Sequence, residues 1–211
     1  MIILGIDPGI ANFGWAIVLV EGQTAHVLDC GTITTEKESP DAWQTMSDDV
    51  AKRCEFIWSE LEDRVSRMGA GEISFVASES LSLPRNSSAA AKVAMTFGLA
   101  VSFACFQKVE FIQASPKMLK TAMNQPKTLI DSEGLSKKEA GAKKRKASKL
   151  FIRDAVMGRV PETSRQKLQD FIKHNNKDVV LHAFDAIAVV ISCMSHPSIK
   201  ATVASAARRT K

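Results

Sequence analysis

Residues 2–18 read IILGIDPGIANFGWAIV, and how this stretch is read decides the fold. Its apolar, β-prone start ends on Asp7, Pro8-Gly9 supply turn chemistry, and FGWAIVLV (13–20) begins a second extended run. Glu21-Gly22-Gln23 turn the chain again into AHVLDCGTI (25–33), so three adjacent antiparallel strands are expected to open the protein. Asp7 is the odd residue. A carboxylate at a half-buried strand end costs stability if it has no partner, so a cation is expected beside it.

Working outward, Trp43, Met46, Val50, Cys54, Ile57, Leu61 and Val65 recur at steps of three and four, which predicts an amphipathic helix ending near Gly69. ISFVAS (73–78), the Ala-rich segment 87–106 and VEFIQ (109–113) predict a strand, a helix and a strand in a β-α-β crossover. Ser115-Pro116 is an N-cap and first-turn pair opening a short helix. Further helices are predicted near 138–157, 163–173 and 179–194. The order predicts an α/β fold, a mixed central sheet with helices on both faces. Residues 1–195 are expected to form a single domain, with a mobile insertion at about 123–140 and a basic, flexible tail over 196–211.

A chain of 211 residues with 45% hydrophobic content suits one domain with a substantial core. Cys30, Cys54, Cys105 and Cys193 are scattered without metal-ligand spacing and read as buried free thiols of a reducing compartment. Six residues without a basic leader precede Asp7, which argues against secretion. The apolar stretch 89–106 is interrupted by Lys92 and reads as a buried helix, so no membrane anchor is expected. Net charge is +5, but Pro116 to Arg153 holds eleven Lys or Arg against three Asp or Glu. A basic block on an otherwise mildly acidic chain is the pattern of a polyanion-binding face, or of a solvated lysine-rich helix.

Four chemistry-bearing residues lie far apart: Asp7 ending the first strand, Glu79 directly after ISFVAS, and His182 and Asp185 in DVVLHAFDAIAVV. Each has a plain reading as a turn residue, a strand terminus or a helix residue packed against Phe184. Together they have a sharper one. Neighbouring strand ends lie about 5 Å apart and residues three apart on a helix share a face, so one helix beside two strand ends would gather all four. Three carboxylates and a histidine in one concavity repel unless divalent cations neutralise them, and hard oxygen ligands favour Mg²⁺ or Mn²⁺ over zinc.

IILGIDPGIANFGWAIV, FVASES and HAFDAIAVV resemble, in order and spacing, the three acidic motifs of the RuvC-type Holliday-junction endonucleases of the RNase H-like superfamily. The resemblance implies a structure-specific endonuclease resolving four-way DNA junctions by paired, metal-dependent phosphodiester hydrolysis. It implies two Mg²⁺ ions per site, with Mn²⁺ able to substitute. Asp7 would bridge both, Glu79 and Asp185 would complete their shells, and His182 would stand where the family uses an acidic residue or histidine. Asp178, one turn before His182, reads as the N-cap of the last helix or an outer acid. Lys120 and Lys144 resemble the family's DNA-contacting lysines near the active site, and Lys143, Arg145, Lys146 and Arg85 are further DNA-binding candidates. SLSLPRNSS follows Glu79 where bacterial members often carry an aromatic wedge, leaving Leu81 or Leu83 to open the junction core. Two-fold junction symmetry implies a homodimer, with helix 87–106 as the expected interface, and a branch-migration motor is a further partner. These departures suit a divergent member, phage-encoded or organellar, acting in a nucleoid-containing cytoplasm, a host cytoplasm or an organelle. The alternatives are a related nuclease acting on other branched or RNA-containing substrates, a non-cleaving junction binder, and a sugar-kinase or actin-type ATPase, whose first strand also ends in Asp-x-Gly.

Overall fold

The computed structural model describes residues 1–37, 46–68, 73–81, 86–130, 134 and 136–209. The opening stretch folds as the antiparallel strands β1 (Ile2–Asp7), β2 (Asn12–Glu21) and β3 (Thr24–Thr34), followed by α1 (Met46–Ser66). Then come β4 (Ile73–Glu79), α2 (Ser87–Phe106), β5 (Glu110–Ala114) and α3 (Pro116–Ala122). The chain continues with α4 (Lys137–Met157), α5 (Glu162–His174), α6 (Lys177–Cys193) and α7 (Pro197–Arg209). One sheet has the order β3-β2-β1-β4-β5, with β1–β2 and β2–β3 antiparallel and β1–β4 and β4–β5 parallel. Gly22, at φ +60, turns the tight β2–β3 connection.

Strand alternation sorts the core into two halves. Leu4, Ile6, Trp15, Ile17 and Val76 face α1 and α2, where Ile57, Leu61, Leu99 and Phe103 close the cluster. Ile3, Val18, Phe75, Ala77 and Ile112 face α6, with Ile152 and Val156 of α4 behind it. The same period of two places Asp7 in line with Ile3 and Gly5, and Glu79 in line with Phe75 and Ala77, so both acids end their strands on the α6 side.

Helix α6 lies unusually close to the sheet because two strand positions carry no side chain. A Cβ on Gly5 would stand 2.3 Å from the carbonyl oxygen of Ala186, and one on Gly14 would stand 2.2 Å from that of His182. The two glycines let the α6 backbone rest directly on β1 and β2.

Several expectations change. The N-cap of α6 is Asn176, whose side chain accepts from the Val179 amide; Asp178 is an exposed first-turn residue instead. The tail is helical through 197–209: Ile199 is fully buried, Val203 packs against the same cluster, and Ser198 Oγ donates to Glu110 Oε1 at 2.9 Å. Two apolar residues one turn apart are enough to dock an Ala- and Ser-rich helix. Within the stretch expected as an insertion, Gln125 Nε2 donates to Ser148 Oγ at 2.7 Å, and Ser136 with Glu139 forms a capping box that starts α4. All four cysteines are free as expected, but only Cys193 is buried; Cys30 and Cys54 are half-buried and Cys105 is exposed. Trp43, Gly69, Leu83 and Arg85 lie outside the described residues.

Candidate active site

The four residues singled out in the sequence are brought to one end of the sheet. Asp7 and Glu79 come from neighbouring parallel strands paired through Ile6 and Ser78, and α6 crosses above them with His182 and Asp185 on one face. Ligand atoms of Asp7, His182 and Asp185 all lie within 4.8 Å of one another. Asp7 and Glu79 share the wall of a cavity of about 170 Å³ with Pro8, Ser80, Leu81 and Val93. Asp7 therefore stands between Glu79 on one side and the His182–Asp185 pair on the other.

A fifth residue belongs to the site. Lys149 of α4 places its Nζ 3.4 Å from Asp185 Oδ2 and 3.3 Å from His182 Nε2. An ammonium has only protons to give, so in the tautomer that bonds Lys149 it is Nε2 of His182 that accepts. On its other side the ring places Nδ1 2.6 Å from Asp7 Oδ2, a hydrogen bond or an ion pair according to the ring's protonation. Lys149, His182 and Asp7 form a continuous chain of polar contacts.

Electrostatics follow from crowding acids in a half-buried place. Burial, then the Asp7 charge, pushes the Asp185 carboxyl up to about 7, with Lys149 and His182 pulling the other way. Glu79 is raised for the same two reasons and eased by Lys120 and Lys149. A cluster of carboxyls that resists losing its protons together is one that a divalent cation would relieve. The donor set of three carboxylates and one imidazole, mostly hard oxygen, suits a magnesium-type ion.

The sequence reading put the near-site lysine of this helix at Lys144. Lys149 is the residue that reaches the carboxylates, while Lys144, five residues earlier, lies about 140° around the helix and is exposed. The signal was present in the spacing: Lys149 precedes the buried Ile152 and Val156 by three and seven residues, so a lysine occupies the core-facing stripe. Arg145 and Lys146 sit one turn before Lys149 on the same side, and Lys143 is exposed with Lys144. Lys120 is close enough to act on Glu79. Leu81 is 39% exposed at the rim of the cavity.

Comparison with known proteins gives the family. Residues 3–127 match the family described as Crossover junction endodeoxyribonuclease RuvC. A curated relative of that name from Natranaerobius thermophilus is 32% identical over 121 residues, 57% of this chain and 67% of the relative. One from Alkaliphilus metalliredigens is 32% identical over 123 residues, 58% and 68% of the two chains. Among solved structures, T. thermophilus RuvC in complex with Holliday junction substrate superposes with a TM-score of 0.60 at 20% identity, covering 91% of this chain and 92% of that one. The yeast mitochondrial Holliday junction resolvase Ydc2 gives 0.56 at 13% identity, covering 96% and 80%. The matched segment contains Asp7, Glu79 and Lys120; His182, Asp185 and Lys149 lie beyond it and join the site through the fold. With more than half of the chain matched by the family's model, the chain belongs to the RuvC family of crossover junction endodeoxyribonucleases.

Proposed function

We propose that the protein resolves four-way DNA junctions by metal-dependent hydrolysis, using Mg²⁺ held by Asp7, Glu79, Asp185 and His182. The observation that supports this most is the convergence of Asp7, His182 and Asp185 within 4.8 Å, with Glu79 across Asp7 from them. Two bound Mg²⁺ ions would supply water activation and charge neutralisation at the scissile phosphate. The chain's own residues supply the rest. Asp7, placed between the two halves of the site, is the natural shared ligand. His182 bonds Asp7 through Nδ1, and its Nε2, 3.3 Å from Lys149 Nζ, meets an ion or a proton-bearing water only where the ammonium moves away. The Lys149 ammonium also offers charge to a phosphate oxygen beside Asp185. Lys120, Arg145 and Lys146 extend the positive charge from the site along α3 and α4, with Lys143 and Lys144 on the adjoining surface. Leu81, at the rim, is the proposed wedge.

Paired cutting of a two-fold substrate is served by a two-fold dimer. The exposed side of α2 carries Ala91, Ala94, Met95, Gly98, Ser102 and Phe106, a small and apolar stripe that suits a second copy of the helix. Incubation in Mg²⁺ with labelled four-way junction, linear duplex, RNA–DNA hybrid and ATP tests the whole reading. Symmetric nicks in the junction alone are expected. Cleavage of the hybrid alone would make the substrate an RNA-containing one, and junction binding without nicking would make the protein a binder.

A further inference from the structure

We propose that Arg53 and Thr35 form a relay that positions the loop following Asp7, and through it the Asp7 carboxylate. The inference rests on the reading of Asp7 as a metal ligand. Asp7 ends β1, and residues 8–11 turn the chain into β2, so the placement of this loop fixes where the strand end points. Two of its carbonyls are held by one residue. The Thr35 amide donates to Ala11 O at 3.0 Å, and its hydroxyl donates to Ile10 O at 2.5 Å.

A threonine hydroxyl normally rotates to suit its surroundings, but this one is fixed. Arg53 Nε donates to Thr35 Oγ1 at 2.7 Å, which uses the oxygen as an acceptor and leaves the hydroxyl proton for Ile10. Arg53 also approaches the Thr35 carbonyl and Asp49 Oδ2, each at 3.4 Å. Both members of the relay are buried: Thr35 is 8% exposed and Arg53 9%. A guanidinium withdrawn from solvent at a strand end serves the sheet poorly as simple packing; it serves well as a rigid donor. On the far side of the loop, the fully buried Thr96 of α2 points its hydroxyl at Pro8 O, 3.1 Å away, sharing its proton with the carbonyls of Lys92 and Val93. The loop is thus gripped from β3 and α1 on one side and from α2 on the other, with the firmer grip at Thr35.

Thr35→Val keeps shape and loses the hydroxyl; Thr35→Ser keeps the hydroxyl; Arg53→Lys keeps charge and loses the Nε donor. Mn²⁺ binding to the full chain by calorimetry, with thermal melts as the folding control, reads the effect without cleavage. Thr35→Val and Arg53→Lys are expected to weaken Mn²⁺ binding about tenfold, and Thr35→Ser to retain it. Their junction affinity in EDTA should match the parent's. Parent-like Mn²⁺ affinity in Thr35→Val and Arg53→Lys would overturn the relay, and Arg53→Lys decides alone if Thr35→Val does not fold. If the parent binds Mn²⁺ no better than Asp7→Asn, the metal reading itself fails, which is a different result.

Discussion

Asp185 carries two costs that a single substitution separates. Its folded carboxyl holds a proton up to about 7, well above the ordinary 3.8. A carboxyl raised in this way favours the folded state below about pH 4, and that contribution is lost as pH climbs through about 7. Metal-free Asp185→Asn should therefore be more stable than the parent at pH 8, by on the order of a few kcal/mol in a denaturant titration, and the difference should vanish near pH 4. In Mg²⁺ the same variant should bind a junction at parent affinity or better while nicking falls by orders of magnitude. Parent-rate nicking would remove Asp185 from the metal site. Lys149 acts in the opposite sense on the same group. Removing its ammonium in Lys149→Ala should raise Asp185 and Glu79 further, moving the onset of Mn²⁺ binding to higher pH. An unshifted onset would reduce Lys149 to a surface lysine.

At the scale of elements, the geometry of the site depends on how deeply α6 sits. Gly14→Ala places a Cβ against the His182 carbonyl, and backbone cannot yield as a side-chain tip would. The helix must lift, so a loss of about 1–3 kcal/mol in stability is expected, along with weaker Mn²⁺ binding. A fully stable variant with parent metal affinity would show that α6 has slack. The elements themselves were legible in the sequence because periodicity and punctuation agreed: β1 ends at Asp7 before Pro8-Gly9, and α3 starts behind Ser115-Pro116. Asp7, Glu79, His182 and Asp185 were legible because each sits where a strand or helix pattern places it beside the others. Lys149 was hidden among neighbouring lysines whose charge reads alike from sequence although their directions differ. Arg53 and Thr35 were hidden because their bond joins β3's end to α1, a pairing only tertiary structure specifies. Helix α7 was missed because Ile199 and Val203 are too few to mark a period.

For the molecule as a whole, the two faces of α2 differ in burial and so in what a substitution there tests. Leu99 is 8% exposed and belongs to the core, so Leu99→Glu would unfold the chain rather than test an interface. Met95, 43% exposed, is the informative position. Met95→Glu should leave the melting temperature near the parent's and shift the solution mass from about twice 23.0 kDa to one chain. A mass unchanged by the variant would move the self-association surface elsewhere.

The inward side of α2 touches the Asp7 loop through Thr96 and walls the acidic cavity with Val93. Under the proposed dimer, one helix would have a partner-facing side and a side toward the acidic cavity. Thermodynamic reciprocity then applies: if covering the outer stripe stiffens the grip on Pro8, divalent ion affinity rises, and the ion strengthens self-association by the same factor. Cutting competence would then be conditional on company. A stray single copy meeting duplex DNA would hold its ions weakly and spare it, whereas two copies seated on a junction would arm each other.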